Sequence, residues 1–288
     1  MSLRGCRGFG NRPKSDNWAG RQRVRPHRIH CVAAAGRAAA CQVRSRVHKM
    51  TQPKQKGFTL VEIAVVLVII GLLLGAILQG QALIQSARVN NLADQKAGIQ
   101  AAYYGFIDRY GAVPGDMPED RATEAIGEPI SLGGNANGRL EDPSDSSNWK
   151  ELNGVWEQLS KAGFISGRYD GAPENEEPQN ADHAPENAFN GLVILAHHGG
   201  YTDNNDVTPE RLLYHFGRNI PASIARELDV KLDNGQPGSG TIRMAEPGSG
   251  RWQSDGDCVS GGGNGNGGGP MIWDVTVDVH DCNPVAMF

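Results

Sequence analysis

KGFTLVEIAVVLVIIGLLLGAIL, residues 56–78, decides how the rest of this chain is read. From Phe58 to Leu78 there are 21 residues, and Thr59 and Glu62 are the only polar side chains among them. At about 1.5 Å per residue a helix of this length spans roughly 30 Å, one bilayer core. Core helices of globular domains rarely run so far without polar relief, so the stretch predicts a membrane helix. Charge divides at the same point. Residues 1–57 hold 14 Lys+Arg against one acid, Asp16, while residues 58–288 hold 14 bases against 31 acids. Lys54 and Lys56 sit beside the apolar run, so the positive-inside rule puts its N-terminal side in the cytoplasm and exports everything past residue 78. The acidic body excludes a nucleic-acid-binding role, because such a surface repels phosphate.

No small-residue cleavage site of A-x-A type follows Leu78, as a secretory signal requires. Upstream, Ala38-Ala39-Ala40-Cys41 is similar to a lipoprotein acylation site, but Gly36 and Arg37 interrupt the stretch before it. The informative feature is the junction Lys54-Gln55-Lys56-Gly57 followed by Phe58-Thr59-Leu60-Val61-Glu62. It resembles the cleavage and methylation motif of type IV pilins and of the pseudopilins of type II secretion. The resemblance implies that a prepilin peptidase cuts after Gly57 and methylates the new N-terminus, Phe58, and that Glu62 is the carboxylate used in assembly. A membrane carboxylate costs about 2.5 to 3.5 kcal/mol at a helix centre and less near the interface, which independently asks for a partner. The amine on Phe58 of a neighbouring subunit supplies one. Met50 opens an eight-residue leader, MTQPKQKG, over residues 50–57. Residues 1–49, Arg-rich and carrying Cys6, Cys31 and Cys41, read as a mis-assigned start, with a genuine long leader as the alternative. Either way they are expected to be absent from the mature protein.

Beyond the span, residues 79–110 contain no proline, and Val89, Leu92, Ile99, Tyr103, Phe106 and Tyr110 recur on one helical stripe. The pattern predicts one helix from Phe58 onward, roughly 80 Å long, capped by Gly111 and stopped by Pro114. Residues 58–78 are its transmembrane part and residues 79–111 its amphipathic continuation.

Residues 112–288 read as a periplasmic or extracellular head. Helices are expected at 155–162, 209–216 and 221–228, and strands at 192–196, 241–244 and, most clearly, 271–279, where apolar and polar residues alternate. The fold class is thus α+β: a long N-terminal transmembrane and amphipathic helix packed on a small antiparallel-sheet head, as the family resemblance also implies. Residues 108–118 (DRYGAVPGDMP), 156–165 (WEQLSKAGFI) and 231–240 (KLDNGQPGSG) are similar to segments of some prepilin-like proteins. With the leader gone, Cys258 and Cys282 remain as the only cysteines, both on the exported side. A disulfide between them is expected, as in the C-terminal loop of many pilins, against the alternatives of free thiols or intermolecular pairing.

Candidate chemistry in the head is thin. His197 and His198, near Asp203 and Asp206, match no metal-binding spacing and read as a polar loop after a strand. Asn135, Asn137, Glu141 and Asp142 have the oxygen-rich look of a calcium loop without its preferred acids, so plain turn chemistry is favoured. The Gly-rich run 261–269 lacks the Lys and Ser/Thr of a phosphate loop. No nucleophile and base stand in a recognisable local context, so an enzymatic reading has no positive support and no cofactor beyond the calcium candidate is expected. The expected function is a structural subunit in the inner membrane that enters or caps a filament, with prepilin peptidase, other subunits, an assembly platform and the lipid bilayer as partners. The competing reading is a single-pass anchored module whose head binds carbohydrate or peptide; Gly57 and Glu62 discriminate, since an anchor needs neither.

Overall fold

The computed structural model describes residues 57–143, 149–205, 207–262 and 269–288. The expectations for residues 1–56, including Met50, Lys54 and Lys56, and those for Asp206 and residues 263–268 lie outside them.

The first element, α1, runs unbroken over Leu60–Tyr110. Its first half buries nothing: every large apolar side chain from Phe58 to Ile84 is exposed. Its second half buries Val89, Leu92, Ala93, Ile99, Ala102, Tyr103 and Phe106, the stripe that periodicity marks. Gly111 ends it in the left-handed conformation, φ 62°, with its N–H on the Ile107 carbonyl at 2.8 Å. Gly105 lets the head approach closely, since a Cβ there would stand 2.9 Å from the Phe164 ring.

Two further helices follow, α2 at Glu119–Ile126 and α3 at Lys150–Lys161. α3 begins earlier than its apolar pattern indicated, and its polar residues explain why it is needed. Gln158 accepts from Gly115 N–H at 2.8 Å and donates to the Met117 and Leu132 carbonyls at 2.9 and 3.1 Å. Glu157 accepts from the Leu132 N–H at 2.8 Å and from Lys161 at 2.5 Å. The irregular segment between α1 and α3 is therefore held by side chains of one helix face, in place of the backbone partners it lacks.

The sheet is antiparallel throughout, in the order β1 (Ile194–His198), β2 (Arg211–His215), β6 (Pro284–Met287), β3 (Ile242–Met244). Tyr214 pairs with Leu195 and Ala286, and Ile242 with Ala286. α4, Ala222–Leu232, lies beside α1, to which Lys231 bonds through Asn90. A separate two-stranded ribbon, β4 (Val259–Ser260) with β5 (Ile272–Trp273), sits inside the loop closed by Cys258 and Cys282.

Three expectations for the head are corrected. The helix expected over 209–216 is absent; its residues Arg211–His215 form the inner strand β2. Both faces of β2 are covered, with Leu213 packed beside Val285, Tyr201 and Ala245, and Tyr214 in the main core; long-range pairing overrides a run too short to nucleate a helix alone. The strand expected over 271–279 stops at Trp273. Asp274 Oδ1 accepts from Thr276 N–H at 2.9 Å and Thr276 Oγ1 at 2.6 Å, a local turn that competes with the ladder and leaves Val275 and Val277 exposed. His197 and His198 are not in a loop but end β1, and His198 is buried.

Candidate functional site: the membrane end of α1

Gly57 and Phe58 are exposed and precede the first turn, Phe58 being 83% exposed. Gly57 is not among the glycines of positive φ, so the backbone does not ask for glycine there. Thr59 is the N-cap, extended at φ −76° and ψ 151°. Its hydroxyl accepts from Glu62 N–H at 3.2 Å, and the Glu62 carboxylate reaches back to accept from Thr59 N–H at 2.8 Å and from the Thr59 hydroxyl at 2.9 Å. This is a reciprocal capping box. An uncapped helix start leaves N–H groups without partners, a cost that rises steeply away from water. Glu62 therefore has a local task, and it performs that task from an exposed position on an otherwise apolar helix.

Thr59 is the site residue that the reading of the motif passed over. The S/T-x-x-E spacing of Thr59 and Glu62 is itself a helix-start signature and was there to be used. Replacing Thr59 with alanine is expected to remove about 1 kcal/mol of cap stabilisation. In micelles the Glu62 amide should then exchange about five-fold faster; unchanged protection would show that the cap contributes nothing.

The head holds the other expected residues apart from this end. Cys258 and Cys282 are joined in a disulfide with Cα atoms 5.7 Å apart, and both are fully buried. The loop they close docks on α4 through Trp273, whose indole N–H donates to Asp229 Oδ2 at 2.8 Å. Burial raises the Asp229 carboxyl above its usual range, an effect that the Trp273 hydrogen bond opposes.

The 135–142 loop spends its oxygens on its own turns. Asn135 Oδ1 accepts from Asn137 N–H at 3.0 Å, Asn137 Oδ1 from Arg139 N–H at 2.8 Å, and Asn135 Nδ2 donates to Glu141 at 3.2 Å. Its anchors are two buried acids distant in sequence. Asp116 takes the Asn137 and Gly138 N–H groups at 3.1 and 2.7 Å, and Glu151 takes that of Asn135 at 3.1 Å. Burial, with Glu141 and Asp116 nearby, pushes Glu151 up to about 7. Asp142 follows Glu141 at the end of this loop. Among the described residues no three His, Cys, Asp or Glu side chains converge as metal ligands. Asp203 pairs instead with Arg243 at 2.9 Å, and His197 Nδ1 accepts from Leu140 N–H at 3.0 Å.

Residues 52–78 match the family model described as the prokaryotic N-terminal methylation motif. No curated protein and no solved structure matches the chain. The matched segment ends at Leu78, so it takes in Gly57, Phe58, the capping box and the apolar half of α1. The chain thus carries a prepilin-type methylation motif at the start of a helix long and apolar enough to cross a membrane, which supports the resemblance to type IV pilins and pseudopilins.

Proposed function

We propose that this chain is a prepilin-like structural subunit. Prepilin peptidase cuts it between Gly57 and Phe58 and methylates Phe58; residues 58–78 hold it in the inner membrane with the head in the periplasm; and an assembly platform moves it into, or to the tip of, a type IV pilus or a type II secretion pseudopilus. The observation that carries the reading is the methylation motif lying directly on the apolar start of a helix long enough to cross a membrane, where Glu62, the one carboxylate of residues 58–78, is exposed.

The chemistry is consistent at each step. Hydrolysis of the Gly57–Phe58 bond creates an amine that the uncut chain lacks. In the monomer, Glu62 is occupied by Thr59. In a filament the cationic amine of a neighbour competes for the same carboxylate, and an ion pair in apolar surroundings outweighs a neutral cap. Assembly then exchanges a contact within the chain for one between chains, which fixes axial register. The test is fractionation of cells that have an intact assembly system. The processed chain is expected in the sheared-filament fraction as well as in membranes; a processed chain found only in membranes would contradict a filament role.

A further inference from the structure

His198 and His215 are the last residues of β1 and β2, at opposite ends of that antiparallel ladder, and their imidazoles reach along it to meet in the interior. His198 and His215 are 2% and 0% exposed, their rings are 9° from parallel with centroids 5.0 Å apart, and their Nε2 atoms are 2.8 Å apart. Nitrogens that close with centroids that distant mean that the rings meet edge to edge in one plane, so the contact is an N–H···N hydrogen bond and not a stack. Such a bond needs one donor and one acceptor. Gly200 N–H donates to His198 Nδ1 at 2.9 Å, so that nitrogen is unprotonated and the proton of His198 lies on Nε2. His215 Nε2 is then the acceptor, and its Nδ1–H is left for the Trp252 carbonyl. Each nitrogen is used once, and only while both rings are neutral. An extra proton on His198 Nδ1 would face the Gly200 N–H; on His215 Nε2 it would face the His198 N–H.

The relay ties the sheet to the loop of residues 246–254, whose ends meet through a single parallel bridge between Pro247 and Ser254. Glu246 N–H donates to the Gly200 carbonyl at 3.0 Å, and Ser254 N–H to the Glu246 carbonyl at 3.0 Å. The Trp252 ring stands perpendicular to both imidazoles, at 86° and 5.1 Å from His198 and at 88° and 6.4 Å from His215. Gly200 permits this packing, because a Cβ there would lie 2.7 Å from His198 Nδ1 and 2.8 Å from the Trp252 ring. The same loop walls two cavities of about 530 and 580 Å³, the first polar and the second mixed, that share Glu177 and Gln179. Arg251 lines the first, and Trp252 and Gln253 line the second.

We propose that the His198–His215 pair is an acid-operated latch on this loop: neutral, it holds residues 246–254 against the sheet, and uptake of one proton breaks one of its inner hydrogen bonds, loosens the loop and reshapes both cavities. Burial pushes His198 down to about 4 and keeps His215 well below its usual value, the Trp252 carbonyl opposing that shift in part. Asp142 and Glu210 act on His198 to favour the cation, and His197 opposes it. The residue just before β6 contributes only the neutral Asn283 amide, 3.4 Å from His215 Nδ1, and the 246–254 loop contributes the neutral Trp252. Free histidine titrates near about 6.5, so below that pH the loosened form takes up protons that the latched form refuses. The latch is at full strength above this range and fails progressively as pH falls toward 4.

The test uses the full chain in micelles with ¹⁵N-labelled histidine and hydrogen exchange. At neutral pH two neutral rings of opposite tautomer are expected, His198 protonated on Nε2 and His215 on Nδ1. As pH falls, protection of the 246–254 amides should drop about ten-fold while the amides of α1 and α4 stay protected. The His198→Gln/His215→Gln double variant, whose amides can hydrogen-bond without titrating, should not show the drop. Protonated rings at neutral pH, a 246–254 loop still protected once the pair has titrated, loss of protection only together with α4, or an undiminished drop in a folded double variant would each overturn the latch.

Discussion

Replacing Glu62 with alanine is expected to leave cleavage and membrane insertion intact while incorporation into filaments falls by roughly thirty-fold or more. Insertion does not suffer, because removing a carboxylate makes the span more apolar. Cleavage does not suffer, because the bond between Gly57 and Phe58 lies outside α1, between exposed residues. The local loss is small: the Thr59 N–H and hydroxyl lose an acceptor, a cost of about 1 kcal/mol near the headgroups. The loss between subunits is large. Truncating one partner of a desolvated ion pair costs about 2 kcal/mol or more, most of it the penalty of leaving the other charge unpaired, and about 2 kcal/mol is roughly thirty-fold in association. Comparing the ratio of sheared-filament to membrane-bound chain in wild type and variant reads this directly. An equal ratio would mean that Glu62 serves α1 alone, as its cap.

Reducing the Cys258–Cys282 disulfide is expected to have the largest effect on the head. The bond closes a loop with a sequence separation of 24, which in the chain-entropy account corresponds to about 3 to 4 kcal/mol. Among its described residues the loop is otherwise held by a two-residue ribbon pairing, Val259 with Trp273 and Ser260 with Ile272, by the Trp273 indole on Asp229, by Met271 N–H on Asn204 Oδ1, by the Ala222 N–H on the Val279 carbonyl and by the Arg218–Asp281 ion pair. With the bond open, those contacts must restrain a chain whose glycines are costly to order. Oxidised and reduced wild type in micelles, compared by urea denaturation of the head, should differ in midpoint by about 1 M or more. Cys258→Ala/Cys282→Ala should follow the reduced protein. Coincident midpoints would show that β6 and α4 hold the C-terminal segment without the bond.

How much of this could be read from sequence depended on how far apart the interacting residues lie. The stalk was legible because its information is local: the apolar run, the 3.6-residue stripe through Val89, Tyr103 and Phe106, and the stop at Gly111 all fall within one helix. The methylation motif was legible for the same reason, its Gly57, Phe58 and Glu62 all falling within residues 57–62; the Thr59 cap was not anticipated. α3 and α4 lie within a few residues of the helices expected at 155–162 and 221–228, the first marked by its apolar face and the second by helix start and stop signals.

The sheet was less legible because its strands are short and paired at long range. β6 is four residues beginning with proline, yet it lies between β2 and β3; nothing in 284–287 alone marks it as an inner strand. The buried polar groups follow the same rule. Asp116 and Glu151 hold a loop that neither adjoins, and His215 acquires a role only through His198 and Trp252. Asp116 stood within residues 108–118, whose resemblance to prepilin-like segments flagged the stretch without showing what its carboxylate does.

The central claim is that the chain is processed at the head of α1. Intact and peptide mass spectrometry of the chain extracted from membranes, with and without active prepilin peptidase, tests it most directly. With the peptidase, the N-terminal peptide is predicted to begin at Phe58 with one added methyl group on its amine, and without it to retain the residues that precede Gly57. An N-terminus upstream of Gly57 in cells with active peptidase, or a cut elsewhere than between Gly57 and Phe58, would contradict the account.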